Sequence, residues 1–271
     1  MSSVSKNETL LVNERQKEFY NAPKENKNII TSWWSYLRNK VLSDFRENSG
    51  IKDRVYNEHK LWMGDLSNKK ILDLGCLRGN ALSIYMAKNA ASYVGIDLSD
   101  VAIEKLKKKL EQNECKNAKA LAVDFYSDDF IYRDFDIIYA YGVIHHFPDL
   151  EQLFDRIEEV LKPGGLIVTY DPMQTSLPIK LARTMYRPFQ SDKDWEWPFD
   201  KEAFEKIGKR FQISAMHGIL GKSKWSFFLK ALPISGKEKM ISKMIEDDWS
   251  INQIGDPLYS CMQVTMCLKR K

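Results

Sequence analysis

The sequence has few cysteines, glycines and prolines and lacks any long apolar run. The four cysteines, Cys76, Cys115, Cys261 and Cys267, form no pair with the close spacing of zinc ligands or of a disulfide framework. No stretch approaches the roughly 18 apolar residues of a membrane span, and residues 1–16 lack the apolar segment of a signal peptide. We therefore expect a cytoplasmic protein with reduced thiols, no metal site and no transmembrane segment.

A strong excess of one charge is also missing. The 41 basic and 37 acidic residues leave a net charge of +4, without the basic stripe of a dedicated nucleic-acid binder. With 44% hydrophobic and 29% charged residues, the chain is neither disordered nor fibrous. The 271 residues fit one enlarged domain or a core with a cap. Nucleic acid is thus an unlikely partner.

The hydrophobic spacing changes near residue 68 and again near residue 172, which divides the chain into regions. Residues 1–67 form a predicted helical arm, in which apolar residues recur at helical spacing: Ile30, Trp33, Trp34, Leu37, Val41 and Phe45, then Ile51, Val55 and Trp62 after Gly50. Residues 68–271 form the predicted core. Two stretches of the core, at about 172–199 and 218–257, are predicted insertions.

The core begins with short apolar runs that alternate with helical patterns, which is typical of a buried parallel sheet. These runs are KKILDL, SYVGID, KALAVDF, FDIIYAYGVI and GLIVTYD. A later helix is predicted over Asp200–Gly208, with strands at Phe211–Met216 and Tyr259–Leu268. The pattern predicts an open α/β sheet.

Acidic and small residues follow the predicted strands, at the edge where open parallel sheets bind ligands. The first run continues through Gly75 to Gly79, and Asp97 and Asp124 end the second and third runs. A dinucleotide-binding loop would need a second glycine where Leu77 stands, which disfavours a nicotinamide-dependent dehydrogenase.

These residues resemble the class I S-adenosylmethionine-dependent methyltransferases over about residues 68–171, and more loosely to residue 271. The resemblance is carried by Asp73-Leu74-Gly75-Cys76-Leu77-Arg78-Gly79, Asp97, Asp124-Phe125 and Leu161-Lys162-Pro163-Gly164-Gly165. It implies a Rossmann-like, doubly wound sheet of seven mostly parallel strands with an antiparallel last strand. It also implies S-adenosylmethionine as cofactor, although Leu77 departs from the glycine that is usual in the loop.

The resemblance assigns cofactor-binding roles to residues at four strand ends. Gly75, Cys76 and Gly79 would line the methionine part, with Asp73 near its ammonium; Asp97 and Leu98 would lie at the ribose, Asp124 and Phe125 at the adenine, and Tyr141 and Gly142 at the sulfonium. Three acids in register make a ligand site a better interpretation than isolated turn or capping residues.

Catalytic candidates follow the fourth and fifth strands. His145 and His146 lie where an acceptor would approach the methyl group, and a positioned base helps an alcohol or phenol lose its proton. Small-molecule O-methyltransferases that the core resembles pair such a histidine with an acid, which Asp171 matches. The sequence leaves open which histidine is the base, and we expect His59 and His217 to be structural.

The acceptor is predicted to be a small molecule with a hydroxyl group, such as a sugar, an aromatic metabolite or a lipid-linked compound. After the fourth strand the chain has YGVIHHF and not the Asn/Asp-Pro-Pro-aromatic sequence of enzymes that methylate nucleobase amines. This stretch also lacks the nucleophilic cysteine that a cytosine-carbon methyltransferase would need there. Two groups of aromatic residues are candidates for an apolar acceptor pocket: Trp195, Trp197 and Phe199, and Trp225, Phe227 and Phe228. N-methylation and a non-catalytic cofactor-binding domain remain alternatives.

The helical arm and the two insertions are predicted to form a movable cap over the strand ends. Within the second insertion, KWSFFLKALPI is short, apolar and flanked by lysines, so it has a second interpretation as an interfacial membrane segment. The sequence does not indicate the oligomeric state.

Overall fold

The computed structural model describes residues 6–22, 50–189 and 195–271. The helices are α1 (Lys6–Asn21), α2 (Ile51–Met63), α3 (Ala81–Asn89), α4 (Asp100–Gln112), α5 (Leu150–Val160), α6 (Leu177–Tyr186), α7 (Lys201–Arg210), α8 (Ser226–Ala231), α9 (Lys237–Trp249) and α10 (Asp256–Tyr259). The strands are β1 (Lys70–Leu74), β2 (Ser92–Asp97), β3 (Ala118–Ala122), β4 (Phe135–Tyr141), β5 (Leu161–Pro172), β6 (Phe211–Ile219) and β7 (Gln263–Arg270). Short 3₁₀ turns lie at Ile144–His146, Arg187–Phe189 and Ser223–Trp225.

The seven strands form one sheet in the order β3-β2-β1-β4-β5-β7-β6. The first five pair in parallel, whereas β7 runs antiparallel to both of its neighbours. The predicted fold class, with its antiparallel last strand, is confirmed. The chain order reverses at β1, so the loops after β1 and β4 lie side by side at the carboxyl edge, where ligands of such sheets bind.

Local signals start the helices that follow the strands. The side chain of Asn80 accepts backbone N–H groups of Leu82 and Ser83 at the start of α3, and Ser99 accepts from Ala102 at the start of α4. Asp149 and Asp200 cap α5 and α7 in the same way. These caps fix where each strand-to-helix loop ends, and therefore where its polar side chains lie.

The core lies on both faces of the sheet. Alternate residues of β1 enter different apolar clusters, Leu72 and Leu74 in one and Ile71 in the other, as a strand with a two-residue period requires. In the predicted arm, Ile51 and Val55 are buried on α2. The predicted pattern over residues 30–45 lies outside the described residues.

Candidate active site

Two adjoining cavities open at the carboxyl edge of the sheet, of about 240 and about 400 Å³. Gly75, Leu77 and Tyr141 line both. The first is also lined by Asn13, Gln16, Tyr20, Leu74, Ile96, Asp97, Leu98, Val123, Asp124, Phe125, Gly142, Val143, His146 and Phe147. The second is also lined by Ile51, Lys52, Val55, Tyr56, Cys76, Arg78, Gly79, Asn80 and Tyr170. The loop after β1 forms the wall between them.

That loop depends on backbone conformations that favour glycine. Gly75 has φ +64°, and a Cβ there would lie 2.2 Å from a methyl carbon of Val143. Leu77 adopts φ +47° although it carries a side chain. The left-handed conformation costs a non-glycine residue about 1–2 kcal/mol. The departure from the usual glycine is therefore accommodated by strain at Leu77.

The carboxylate of Asp97 secures the same loop from β2. Its Oδ2 accepts the backbone N–H of Leu77 at 2.9 Å, and its Oδ1 accepts that of Ser99 at 2.9 Å. A carboxylate offers about four acceptor positions, so these two bonds leave capacity for a ligand hydroxyl. Burial raises the pKa of Asp97. Its role as a ribose ligand remains a prediction, and the structure places the group in the first cavity.

Asp124 lies at the far end of the first cavity. Its Oδ1 accepts the backbone N–H of Tyr126, and its Oδ2 accepts the side-chain amide of Asn13 at 2.8 Å. Burial raises the pKa of this carboxyl. Phe125, also in the cavity wall, packs against Phe130 in the core. The cavity thus has an apolar end bounded by hydrogen-bond acceptors.

Asp73 lines neither cavity. Its carboxylate is buried beneath the loop and accepts the hydroxyl of Tyr93 at 2.7 Å, while burial raises its pKa to about 6. Cys76 lines the second cavity, and burial raises the pKa of its thiol. Asp73 is therefore placed to support the loop, and its predicted proximity to an ammonium is untested.

A group of tyrosines surrounds the junction of the two cavities. The ring of Tyr141 stacks on Tyr170 with centroids 4.7 Å apart and meets Tyr56 edge to face at 5.6 Å. Gly142, with φ +70°, donates its N–H to the carbonyl of Tyr170 at 2.7 Å. Aromatic faces attract cations, so this junction suits a sulfonium.

The two adjacent histidines have different surroundings. His146 lines the first cavity, and its Nδ1 contacts the carbonyl oxygen of Trp195. His145 is buried, and its Nδ1 lies 2.8 Å from Oδ1 of Asp171. Asp171 is itself buried and also accepts the hydroxyl of Thr169. All three predicted catalytic residues are close together, but only His146 lines the cavity.

The six aromatic residues proposed for an acceptor pocket do not gather in one. Phe199 is fully buried in the core, where it packs edge to face on Phe204. Trp225, in the 3₁₀ turn after β6, and Phe228, in α8, are exposed and stack on each other. Trp195 and Trp197 lie at the histidines, with the N–H of Trp197 donated to the carbonyl of His145. The side chain of Phe227 lies outside the described residues.

Helix α1 supplies site residues that sequence reasoning missed. Its buried positions Thr9, Asn13 and Gln16 are polar and have the spacing of one helical face. Asn13, Gln16 and Tyr20 line the first cavity. A packed helix is usually recognised in a sequence by its stripe of apolar residues, and the buried stripe of α1 is polar. The spacing of these polar residues was the only signal from which it could have been found.

A family model described as a methyltransferase domain matches residues 65–212, which is more than half of the chain. The chain belongs to this family. It is a class I S-adenosylmethionine-dependent methyltransferase, as the resemblance implied, and S-adenosylmethionine is its cofactor.

Curated relatives agree with the family. The chain is 31% identical over 186 residues to the demethylmenaquinone methyltransferase of Lactococcus lactis, which covers 64% of this chain and 70% of that one. It is 32% identical over 122 residues to a sterol 24-C-methyltransferase of Aspergillus fumigatus, covering 44% of this chain and 32% of that protein. It is 32% identical over 101 residues to the ubiquinone biosynthesis O-methyltransferase of Coxiella burnetii, covering 37% and 42%. The chain thus spans less than half of the length of the last two relatives.

Solved structures share the fold of this methyltransferase. The geranyl diphosphate C-methyltransferase of Streptomyces coelicolor A3(2), in complex with Mg²⁺, geranyl diphosphate and S-adenosyl-L-homocysteine, superposes with a TM-score of 0.56 at 13% identity. The alignment covers 86% of this chain and 83% of that one. At this identity the likeness is one of fold.

The linings of the two cavities fit the chemistry of the cofactor. The first combines an apolar end with the carboxylates Asp97 and Asp124, which suit ribose hydroxyls and an adenine amine. The second is lined by the cations Lys52 and Arg78, which suit an amino-acid carboxylate. The junction at Tyr141 would lie near the sulfonium.

Proposed function

We propose that this methyltransferase transfers the methyl group to a hydroxyl of a small, largely apolar acceptor, with His146 as the general base. The observation that carries the proposal is the ring of His146 in the wall of the first cavity, which Asp97 also lines. Bound S-adenosylmethionine supplies an activated methyl group for in-line displacement. The residues of the chain position the two reactants and accept the acceptor's proton.

The surroundings of His146 fix which ring nitrogen is basic. A carbonyl oxygen can only accept a hydrogen bond, so the contact with Trp195 requires the hydrogen on Nδ1. In the neutral ring the lone pair is then on Nε2. This is the state in which a histidine removes a proton from a hydroxyl group.

His145 and Asp171 support this arrangement. The Asp171 carboxylate accepts both the ring N–H and, at 3.2 Å, the backbone N–H of His145. The rings of His145 and His146 have centroids 4.1 Å apart. The buried pair therefore holds the 3₁₀ turn that carries His146, and we assign positioning roles to His145 and Asp171.

An apolar acceptor body is supported by the relatives. The relatives named above act, by their names, on quinones and sterols, which are hydrophobic molecules. Those names include both C- and O-methylation, so the position of methylation needs a direct test.

Helix α1 is the proposed movable part of the cap. It covers the first cavity with polar groups, and Asn13 occupies the Asp124 oxygen that an adenine amine would use. No described residue of 172–199 or 218–257 lines either cavity. A cap role for those two segments stays a prediction.

Methyl transfer can be tested with S-adenosylmethionine labelled in its methyl group. The acceptors to screen are a prenylated catechol, a prenylated naphthoquinol, a sterol and a free sugar, and NMR of the product locates the methyl carbon. We expect an O-methyl product from a hydroxylated prenylated ring. Labelling of carbon or nitrogen alone would overturn the hydroxyl assignment.

The His146→Ala variant tests the base. We expect kcat to fall about 10²–10⁴-fold with little change in the affinity for S-adenosylhomocysteine. The matched control is His217→Ala, since His217 lies outside both cavities, stacked between Trp62 and Trp249. Full turnover of His146→Ala from pH 6 to 9 would mean that positioning alone drives the reaction.

Asp97→Ala tests the assigned ribose site. Two hydroxyls would lose a charged acceptor, so we expect S-adenosylhomocysteine binding to weaken by about 1.5–3 kcal/mol in calorimetry. Glu104→Ala, on the exposed side of α4, is the control. Equal affinities for wild type and Asp97→Ala, with intact circular dichroism, would remove Asp97 from the site.

A further inference from the structure

Large apolar side chains are exposed on two segments that leave the sheet at one place. On α6, Leu177, Leu181 and Met185 are 68%, 58% and 78% exposed. Beyond β6, Trp225, Phe228 and Leu232 are between 44% and 57% exposed. We call these six side chains the docking face. Exposed apolar groups of this number on a soluble domain indicate an interaction surface.

The spacing on α6 is that of one helical face. Residues four and eight positions apart along a helix lie on the same side, so Leu177, Leu181 and Met185 form a stripe. In an ordinary packed helix such a stripe faces the core. Here its three side chains are exposed, which makes the stripe a candidate contact surface.

Both segments begin at the carboxyl edge of the sheet. Pro172 at the end of β5 and Ile219 at the end of β6 both pair with Gln263, the first residue of β7. Helix α6 starts at Leu177, and the 3₁₀ turn before α8 starts at Ser223. Both segments of the docking face therefore start from the edge at which the two cavities open.

The charge around the docking face is positive on balance. Residues 177–189 contain three basic residues and no acidic one, although Arg183 lies 3.8 Å from Glu196. Residues 222–249 contain six lysines and four acidic residues. One of these lysines, Lys222, is paired with Asp247, whereas Lys239 and Lys243 are exposed on α9. Apolar side chains flanked by lysines are complementary to an anionic lipid surface, where each cation near the surface adds attraction.

We propose that the docking face binds the protein peripherally to an anionic membrane. Within the described residues no helix is both long and apolar enough to cross a bilayer, so the contact is interfacial. The placement would bring a membrane-dissolved acceptor to the edge where the cavities open. The proposal does not depend on which acceptor atom is methylated.

The test is co-sedimentation of the full chain with lipid vesicles. We expect the protein to sediment with vesicles that contain phosphatidylglycerol, to do so less at high ionic strength, and to bind weakly to phosphatidylcholine alone. The double variant Leu181→Ser/Met185→Ser should lower the partition constant about tenfold or more, and Lys239→Glu/Lys243→Glu should lower it similarly. Their affinity for S-adenosylhomocysteine should stay that of wild type.

Matched control variants distinguish binding through the docking face from nonspecific adsorption to vesicles. Leu61 and Ile131 are each 74% exposed and precede the amino ends of β1 and β4. Leu61→Ser/Ile131→Ser should sediment like wild type, as should Lys105→Glu/Lys108→Glu on α4. No sedimentation of wild type, or equal loss in the controls, would overturn the proposal. So would a stable dimer, seen by light scattering, that Leu181→Ser/Met185→Ser abolishes while vesicle binding is absent.

Discussion

Helices α1 and α2, which precede the sheet, line the first and the second cavity respectively. They are attached to the rest of the protein by different kinds of contact. Helix α2 is fixed by buried contacts with the sheet, whereas α1 rests on the groups that a ligand would use. Asn13 of α1 contacts Asp124, and Asn21 accepts the hydroxyl of Ser99 at 2.6 Å. The remaining attachments of α1 include Lys17–Asp100 at 3.0 Å. These contacts are polar and partly exposed.

Helix α2 is held by His59, which is fully buried. Its Nε2 lies 2.6 Å from the hydroxyl oxygen of Thr265, which itself donates to the carbonyl of Thr169. His59 therefore donates from Nε2, and Nδ1 can accept from Tyr139 at 3.4 Å. At the opposite end of α2, Arg54 forms two hydrogen bonds with Glu246.

This difference in attachment shows that the predicted arm of residues 1–67 contains two distinct parts. A helix with an apolar, hydrogen-bonded anchor belongs to the rigid wall of the site. A helix with a polar buried stripe has few apolar contacts to lose, so it can leave when the ligand replaces its hydrogen bonds. We therefore expect substitutions in α2 to affect stability and substitutions in α1 to affect access.

The largest effect is expected from the anchor of α2. His59→Ala leaves a cavity and unpartnered hydroxyls, so the free energy of unfolding should fall by about 2–4 kcal/mol in urea titrations at pH 8. Gln16→Ala, in the buried stripe of α1, should cost much less. Equal losses in the two variants would remove the distinction between the helices.

The pH dependence of stability provides a second readout of the same anchor. Burial lowers the pKa of His59 from 6.5 to about 3, with a further contribution from His217. Between these values the unfolded chain binds a proton that the folded protein does not, so stability falls as pH falls below 6.5. By pH 5.5 the loss is about 1.4 kcal/mol, and His59→Ala should lack this component.

A smaller effect is expected at the contact between α1 and Asp124. Asn13→Ala removes a hydrogen bond to a carboxylate, so α1 should open more often and trypsin should cleave after Arg15 about tenfold faster. The matched control is Glu18→Ala, on the exposed side of α1. S-adenosylhomocysteine should also speed cleavage in wild type, because its adenine amine would take the Asp124 oxygen from Asn13. A cleavage rate that neither the variant nor the ligand changes would contradict a movable α1.

The smallest effect concerns the loop between the two cavities. Leu77→Gly removes left-handed strain but increases the freedom of the unfolded chain, so we expect a net stabilisation of about 0.5–1 kcal/mol. Glu114→Gly, at φ +54° and away from the cavities, should give a similar gain. Only Leu77→Gly should alter S-adenosylhomocysteine affinity, because Leu77 lines both cavities. Destabilisation by Leu77→Gly would mean that its side-chain contacts outweigh the strain.

The position of much of the candidate cofactor site was predictable because it depends on local chain geometry. Parallel strands place their carboxyl ends at one edge, so Asp97 and Asp124 could be assigned from the runs that they end. The position of Asp73 could not be predicted, because tertiary packing decides which way a side chain at a strand end points. In the structure its carboxylate accepts the hydroxyl of Tyr93 and lies beneath the loop. The choice between His145 and His146 depended likewise on the turn that carries them.

The sequence alone determined the sheet class, the family and the edge proposed to bind the cofactor, since each follows from short-range patterns of apolar runs, glycines and acids. Only the tertiary structure decided that α1 covers the site, that α2 is fixed, and that His146 faces the cavity while His145 is paired with Asp171. These outcomes depend on contacts between residues far apart in the chain, such as Asn13 with Asp124. Polar contacts of that kind have no periodic signature.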